Sequence, residues 1–267
     1  MAGSAVAAHV AVREAVANGH LTMADVARAA AVSRAWRDAA RDAWTEAKYV
    51  RLGTCVRENG GHALGRMLAK HPRAGVEHLD LSFAGMGDLG VELATAGLDV
   101  RGACPRLHTL DLAANALGPL ATGKLARALE SGACASLRTI RLNFNNLGAA
   151  GASTLFASVR SGAFACLVRL HLDHNLVGDR GAFSFASALG YGMGALREAS
   201  LQVNGLTRLG VRRLAVAAVT RTERLVALHL AGNIAWRAAE YEDELNKLLL
   251  SERPDLPRRL LRLVAER

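Results

Sequence analysis

Between Val76 and Asn233 the apolar residues return in one fixed order: Leu-x-x-Leu-x-Leu-x-x-Asn-x-Leu-Gly. The pattern is cleanest at Leu107, Leu110, Leu112, Asn115, Leu117 and Gly118. It recurs at Leu137, Ile140, Leu142, Asn145, Leu147 and Gly148, and again at Leu167, Leu170, Leu172, Asn175, Val177 and Gly178. Weaker copies begin at Val76, Leu196 and Leu225, so successive copies start 31, 30, 30, 29 and 29 residues apart. Within a copy, alternation such as Leu110-Asp111-Leu112 predicts a short strand with one buried face. The Asn that follows turns the chain inward, its amide serving backbone groups that a bending strand leaves unpaired. Asn115, Asn145, Asn175, Asn204 and Asn233 hold that place, and the first copy has Ala84 instead. Pairs four apart, Leu125 and Leu129, Leu155 and Val159, Phe185 and Leu189, then predict a helix buried along one stripe. Gly151, Gly181 and Gly210 are expected just ahead of these helices, in turns that need a tolerant backbone.

No single copy of about 30 residues can bury its own core, so the copies are expected to stack on one another. This grammar is that of a leucine-rich repeat of the longer, strand-plus-helix kind. The run Asn175-Leu-Val-Gly-Asp-Arg-Gly-Ala-Phe-Ser-Phe-Ala-Ser-Ala-Leu189 resembles the repeat of ribonuclease inhibitor, of NOD-like receptors and of Ran GTPase-activating protein. The resemblance implies an α/β fold: a curved solenoid with parallel strands on the concave face and helices on the convex face. A small helical N-terminal module precedes it. The expected organisation is a module or cap over 1–50, a degenerate repeat or linker over 51–75, six repeats over 76–235, and a helical cap over 236–267. Architecture of this kind hosts many unrelated partners, so it does not by itself name a function.

Residues 1–75 depart from the repeat. Leu21 to Arg37 reads as a turn followed by a helix, with Asp25 placed to cap it and Val26, Ala29, Ala30 and Val32 on a buried face. The string Val32-Ser-Arg-Ala-Trp36-Arg, with Trp44 eight residues beyond Trp36, resembles the latter half of an F-box. That family docks onto the adaptor of a cullin-based ubiquitin ligase and often carries leucine-rich repeats downstream that capture the target. Carried onto this chain, the resemblance makes Leu21, Val26, Val32, Trp36 and Trp44 the adaptor-binding residues. An F-box opens with Leu-Pro and an apolar helix, where this chain has His9-Val10 and Ala11 to Val16, interrupted by Asn18-Gly19. The alternative is a helical cap that seals the open end of the solenoid, with both tryptophans in its core. Tyr49 to Val56 is a candidate strand and His62 to Lys70 a candidate helix of a degenerate extra repeat. At the far end, Trp236 to Leu250 and the basic stretch Arg258 to Val264 are expected to form capping helices.

Composition narrows the choices. Thirty-three Lys and Arg against 24 Asp and Glu leave a charge of +9, which favours acidic partners or surfaces. Aromatics are 4% of the chain and no nucleic-acid motif is present, so nucleic acid is not the expected partner. No apolar run approaches the ~20 residues of a membrane span. Cys104, Cys134 and Cys166 sit just before repeat starts, which reads as reduced, buried thiols in a cytoplasmic or nuclear protein.

Alternate strand residues must face the concave side. The row along the copies reads Asp80, Asp111, Arg141, His171, Ser200 and His229, flanked by Arg169, Asn143, Asp173 and Gln202. It passes from acidic to basic and is the expected partner-binding surface. His171, Asp173 and His174 are close in sequence, but two or three ligands on one face do not close a metal site. The chain lacks a Gly-x-Ser-x-Gly elbow and a phosphate-binding Gly-x-x-x-x-Gly-Lys loop. The expected protein is therefore not an enzyme and uses no cofactor. It is read as a protein-binding chain, monomeric outside its complex, most specifically a ubiquitin-ligase substrate receptor. The competing readings are a small-GTPase regulator resembling Ran GTPase-activating protein and a scaffold subunit.

Overall fold

The computed structural model describes residues 48–51, 75–99, 104–222, 224–233, 247 and 251. Among the described residues, seven strands of three residues alternate with five α-helices, the third of which runs into a 3-10 turn over Ser158–Ser161. The strands are β1 (Tyr49–Arg51), β2 (His78–Asp80), β3 (Thr109–Asp111), β4 (Thr139–Arg141), β5 (Arg169–His171), β6 (Glu198–Ser200) and β7 (Ala227–His229). The helices are α1 (Gly87–Leu98), α2 (Pro119–Glu130), α3 (Gly148–Ala157), α4 (Gly178–Leu189) and α5 (Arg208–Arg221). One sheet joins all seven strands in chain order, each pair parallel, and each helix packs against the next. The result is the expected open, curved α/β solenoid, with β1 adding an edge strand ahead of the six copies. That strand lies across the boundary drawn at residues 50 and 51. The strand expected over Tyr49–Val56 is present as Tyr49–Arg51; the rest of it, the 62–70 helix, the 1–47 module and both C-terminal helices lie outside the described residues.

The register repeats without slippage: Leu79, Leu110, Ile140, Leu170, Ala199 and Leu228 are successive partners. Each is buried, together with the leucines before and after it in the pattern. Each leucine or isoleucine among them contributes about 1.5–3 kcal/mol by leaving water, and Ala199 about 0.8. A slip by one residue would turn this whole row outward, so the apolar column fixes the pairing.

The recurring geometry of the turn comes from the asparagines. Asn204 Oδ1 accepts from the backbone N–H of Asn175 (3.0 Å) and Val177 (3.2 Å) in the preceding copy. Its Nδ2 donates back to the Leu172 carbonyl at 2.9 Å and to Gln202 at 3.1 Å. Asn145 serves Asn115 and Leu117 in the same manner, and Asn233 serves Asn204 and Leu206. From the second copy onward the side chains thus form a buried ladder with one rung per copy, in which amide groups with no strand or helix partner are satisfied sideways.

Two expectations need correction. Gly151, Gly181 and Gly210 lie inside the first turns of α3, α4 and α5, not ahead of them. Their role is close helix stacking: a Cβ on Gly181 would sit 2.4 Å from Val177 Cγ1 and 3.0 Å from Ala152 Cβ. The glycines that need a left-handed backbone are others, among them Gly148 (φ 61°) and Gly178 (φ 58°). The second correction concerns the thiols. Cys104 and Cys134 are buried, and burial pushes the Cys104 thiol up to about 12 and Cys134 up as well. Cys166 is exposed, because its offset of one residue from the repeat start, instead of three, turns it out of the core.

Candidate interaction surface on the sheet face

Because the middle residue of every strand points inward, its two neighbours point to the open face of the sheet. The third positions form the row Arg51, Asp80, Asp111, Arg141, His171, Ser200 and His229, each registered on the next. Adjacent strands lie ~4.8 Å apart, close enough for neighbouring side chains to pair. Arg51 Nε stands 3.4 Å from Asp80 Oδ2, and Arg141 Nη1 stands 3.5 Å from Asp111 Oδ2. In the row of first positions Arg169 Nε lies 3.6 Å from Glu198, whose other oxygen is 3.8 Å from His229 Nε2. All three arginines are more than half exposed, so these pairs are weak and open to competition from a partner's carboxylate.

The row is therefore less polar in its charge order than the sequence implied. Arg51 faces Asp80 at one end, and Arg141 draws Asp111 into a cross-strand pair. Asp111 is almost covered, and Ser200 is only 3% exposed, so these two support the surface from beneath instead of presenting themselves to a partner. Ser200 Oγ donates to Asp173 Oδ1, which also accepts from the Gln202 N–H at 2.8 Å. Asp80 accepts both the Ser82 N–H (3.0 Å) and its hydroxyl (2.6 Å). Arg141 and Arg169 are exposed, while Asp80, Asn143, His171, Asp173, Gln202 and His229 are half-buried around them.

His171 sits among Arg141, Asp173, Glu198 and His229. Burial holds its pKa below the ordinary histidine value, with Arg141 and His229 acting in the same direction and Glu198 and Asp173 opposing it. His171, Asp173 and His174 do not converge: Asp173 is turned to Ser200 and Gln202, and His174 stacks on Phe144 at a centroid distance of 4.5 Å. Among the described residues no three His, Cys, Asp or Glu side chains are grouped to hold a metal ion. Also among them, no helix is long and apolar enough to cross a membrane.

An apolar ridge borders this polar face, and reasoning from sequence did not single it out. The residue before each ladder asparagine is Ala114, Phe144, His174, Val203 and Gly232 in turn, and Phe83 holds the same place before Ala84 in the first copy. All six have a left-handed backbone, with φ between 52° and 72°. Phe83 is 65% exposed, Phe144 56% and Val203 41%; Leu176, two residues past His174, is 66% exposed. Aligning the copies by their asparagines and reading down the preceding column would have revealed it.

Comparison with known proteins agrees with the architecture. No curated protein matches the chain. A family model described as leucine-rich repeat matches residues 76–93, 133–156 and 165–186. The buried leucine columns, the asparagine ladder, the parallel sheet and that match together show a solenoid of leucine-rich repeats.

Proposed function

We propose that the protein is a protein-binding module that docks its partner on the open sheet face. Leucine-rich repeats generally mediate protein–protein interaction, and nothing in that role requires catalysis. The observation that carries the reading is the exposure of Arg141 and Arg169 on adjacent strands of a sheet whose backbone is pinned in register. A rigid platform binds without first having to order itself, which lowers the entropic cost of association. Affinity capture followed by mass spectrometry tests it, comparing the wild-type chain with an Arg141→Glu/Arg169→Glu double variant. Partners of the sheet face disappear from the variant's capture; an unchanged set of captured proteins overturns the reading.

The finer proposal is a substrate receptor of a cullin-based ubiquitin ligase, acting in the cytoplasm or nucleus. Its support is the string Val32 to Trp44 placed ahead of the repeats. Leu21, Val26, Val32, Trp36 and Trp44, which would meet the adaptor, lie outside the described residues. Retention of the chain on immobilised adaptor, and its loss in Trp36→Ala with an unchanged melting curve, is the expected result. Failure of the wild-type chain to bind where a known F-box protein binds removes this proposal and leaves the docking surface standing.

A further inference from the structure

The sheet face is not uniform along its length. At β2 and β3 its charges are carboxylates that already face cations: Asp80 beside Arg51, the almost covered Asp111 beside Arg141, and Glu77, one residue ahead of β2, beside Lys48. From β4 to β6 the exposed charges are arginines: Arg141 and Arg169 on the strands, Arg138 and Arg197 one residue ahead of β4 and β6. The two carboxylates of this half are engaged. Asp173 accepts from Ser200 and Gln202, and Glu198 lies between Arg169 and His229.

The ridge beside these arginines is unusual in a second, independent respect. Its turn holds φ near 55°, a conformation that is unfavourable for bulky side chains and a genuine outlier for a β-branched one. Gly232 shows that glycine satisfies the same turn in the last copy, at φ 72°. Phe144 and Val203 nonetheless occupy it at φ 57° and 52°, with half or nearly half of their surface in water. Neither the turn nor the core accounts for large exposed side chains there. The left-handed turn recurs in every copy, Ala114 included, so it is the large exposed side chain placed on it that singles out these two positions.

We propose that the β4–β7 half of the sheet face receives an acidic segment of a partner protein whose large apolar side chains seat on the Phe144–His174–Val203 ridge. This rests on the sheet face being the docking surface and adds the chemistry of what docks. Arg141 at the end of its strand and Phe144 at the following turn are three residues apart, and in the next copy His174 stacks on Phe144 while His171 holds the strand end. The partner's carboxylates take over arginines held only by weak, exposed ion pairs. Its apolar groups cover the ridge and exclude water from those contacts. Nucleic acid fits less well, because Glu198 and Asp173 interrupt the arginines and would face a uniformly charged backbone.

The test is selection of a random peptide library against the full chain, followed by fluorescence anisotropy with the enriched peptides. Expected are sequences rich in Asp and Glu that also carry Trp, Phe or Leu. Arg141→Glu and Phe144→Gly should each weaken them by about tenfold or more, as for central contacts of an interface, and raised salt should weaken them further. Phe144→Gly suits the left-handed turn, so its melting curve stays at the wild-type value and lost binding is not lost folding. Enriched peptides without acidic residues that still fail on Arg141→Glu overturn the acidic partner but leave the docking surface in place. Peptides indifferent to every sheet-face variant overturn both. Absence of any enrichment, or displacement of the peptides by a single-stranded oligonucleotide, also overturns the proposal.

Discussion

Asn204→Ala removes one rung of the ladder and shows how much of the fold depends on it. The side chain is fully buried, and among the described residues its Oδ1 is the acceptor for two N–H groups, those of Asn175 and Val177. Both donors are themselves buried, and alanine offers them nothing. An orphaned buried donor costs about 1–3 kcal/mol, so two cost roughly 4. The lost Nδ2 bonds add less, because the Leu172 carbonyl keeps the amide of Asn175 at 3.0 Å. At an m-value of about 2 kcal/mol per molar urea, the unfolding midpoint falls by roughly 2 M. Asn146→Ala is the matched control: Asn146 is exposed, one residue past the ladder, and its loss should change stability by less than about 0.5 kcal/mol. Urea denaturation followed by circular dichroism measures both. Were the two variants to lose the same amount, the ladder would be ornament and the sideways hydrogen bonds would not hold the copies together.

Gly181→Ala should destabilise the chain by about 1–3 kcal/mol, since overpacking against Val177 and Ala152 outweighs the better helix propensity of alanine by thermal melt. Among the described cysteines, only Cys166 should react with an alkylating reagent in the native protein; Cys104 and Cys134, with thiols raised by burial, should label only after unfolding, as read by peptide mapping. The lowered pKa of His171 means that the unfolded chain binds its proton first as pH falls. Its contribution is present above about 6.5 and lost as pH drops through the depressed native value. A His171→Gln variant should therefore show a shallower loss of stability in that window, and an unchanged slope would place the pH dependence elsewhere.

The leucine and asparagine columns were legible because each is a one-letter demand repeated at a fixed interval. Leu110 cannot be polar and Asn145 cannot lose its amide without damage that the neighbouring copies feel, so the pattern survives in the letters. The glycines misled because two different needs produce the same residue: Gly178 has a left-handed φ, whereas Gly181, three positions later, makes room for Ala152. The binding surface was legible only as a set of positions. Sequence placed Asp111 and Ser200 in the right row, but their cover depends on the reach of Arg141 and the lean of Asp173, which no periodicity encodes. Phe144 and Val203 escaped notice because apolar residues suggest burial, and the column they share lies outside the leucine positions that the periodicity draws attention to.

The ladder also has a direction. Each asparagine completes the turn of the copy before it: Asn233 serves Asn204 and Leu206, Asn204 serves Asn175 and Val177. Removing a unit from the C-terminal side strands two buried turn amides in its neighbour, whereas removing one from the N-terminal side strands amides at the start of a strand, such as those of His108 and Thr109 on the Glu77 carbonyl. A cut between copies should therefore loosen the strand start on one side of it and the buried asparagine turn on the other.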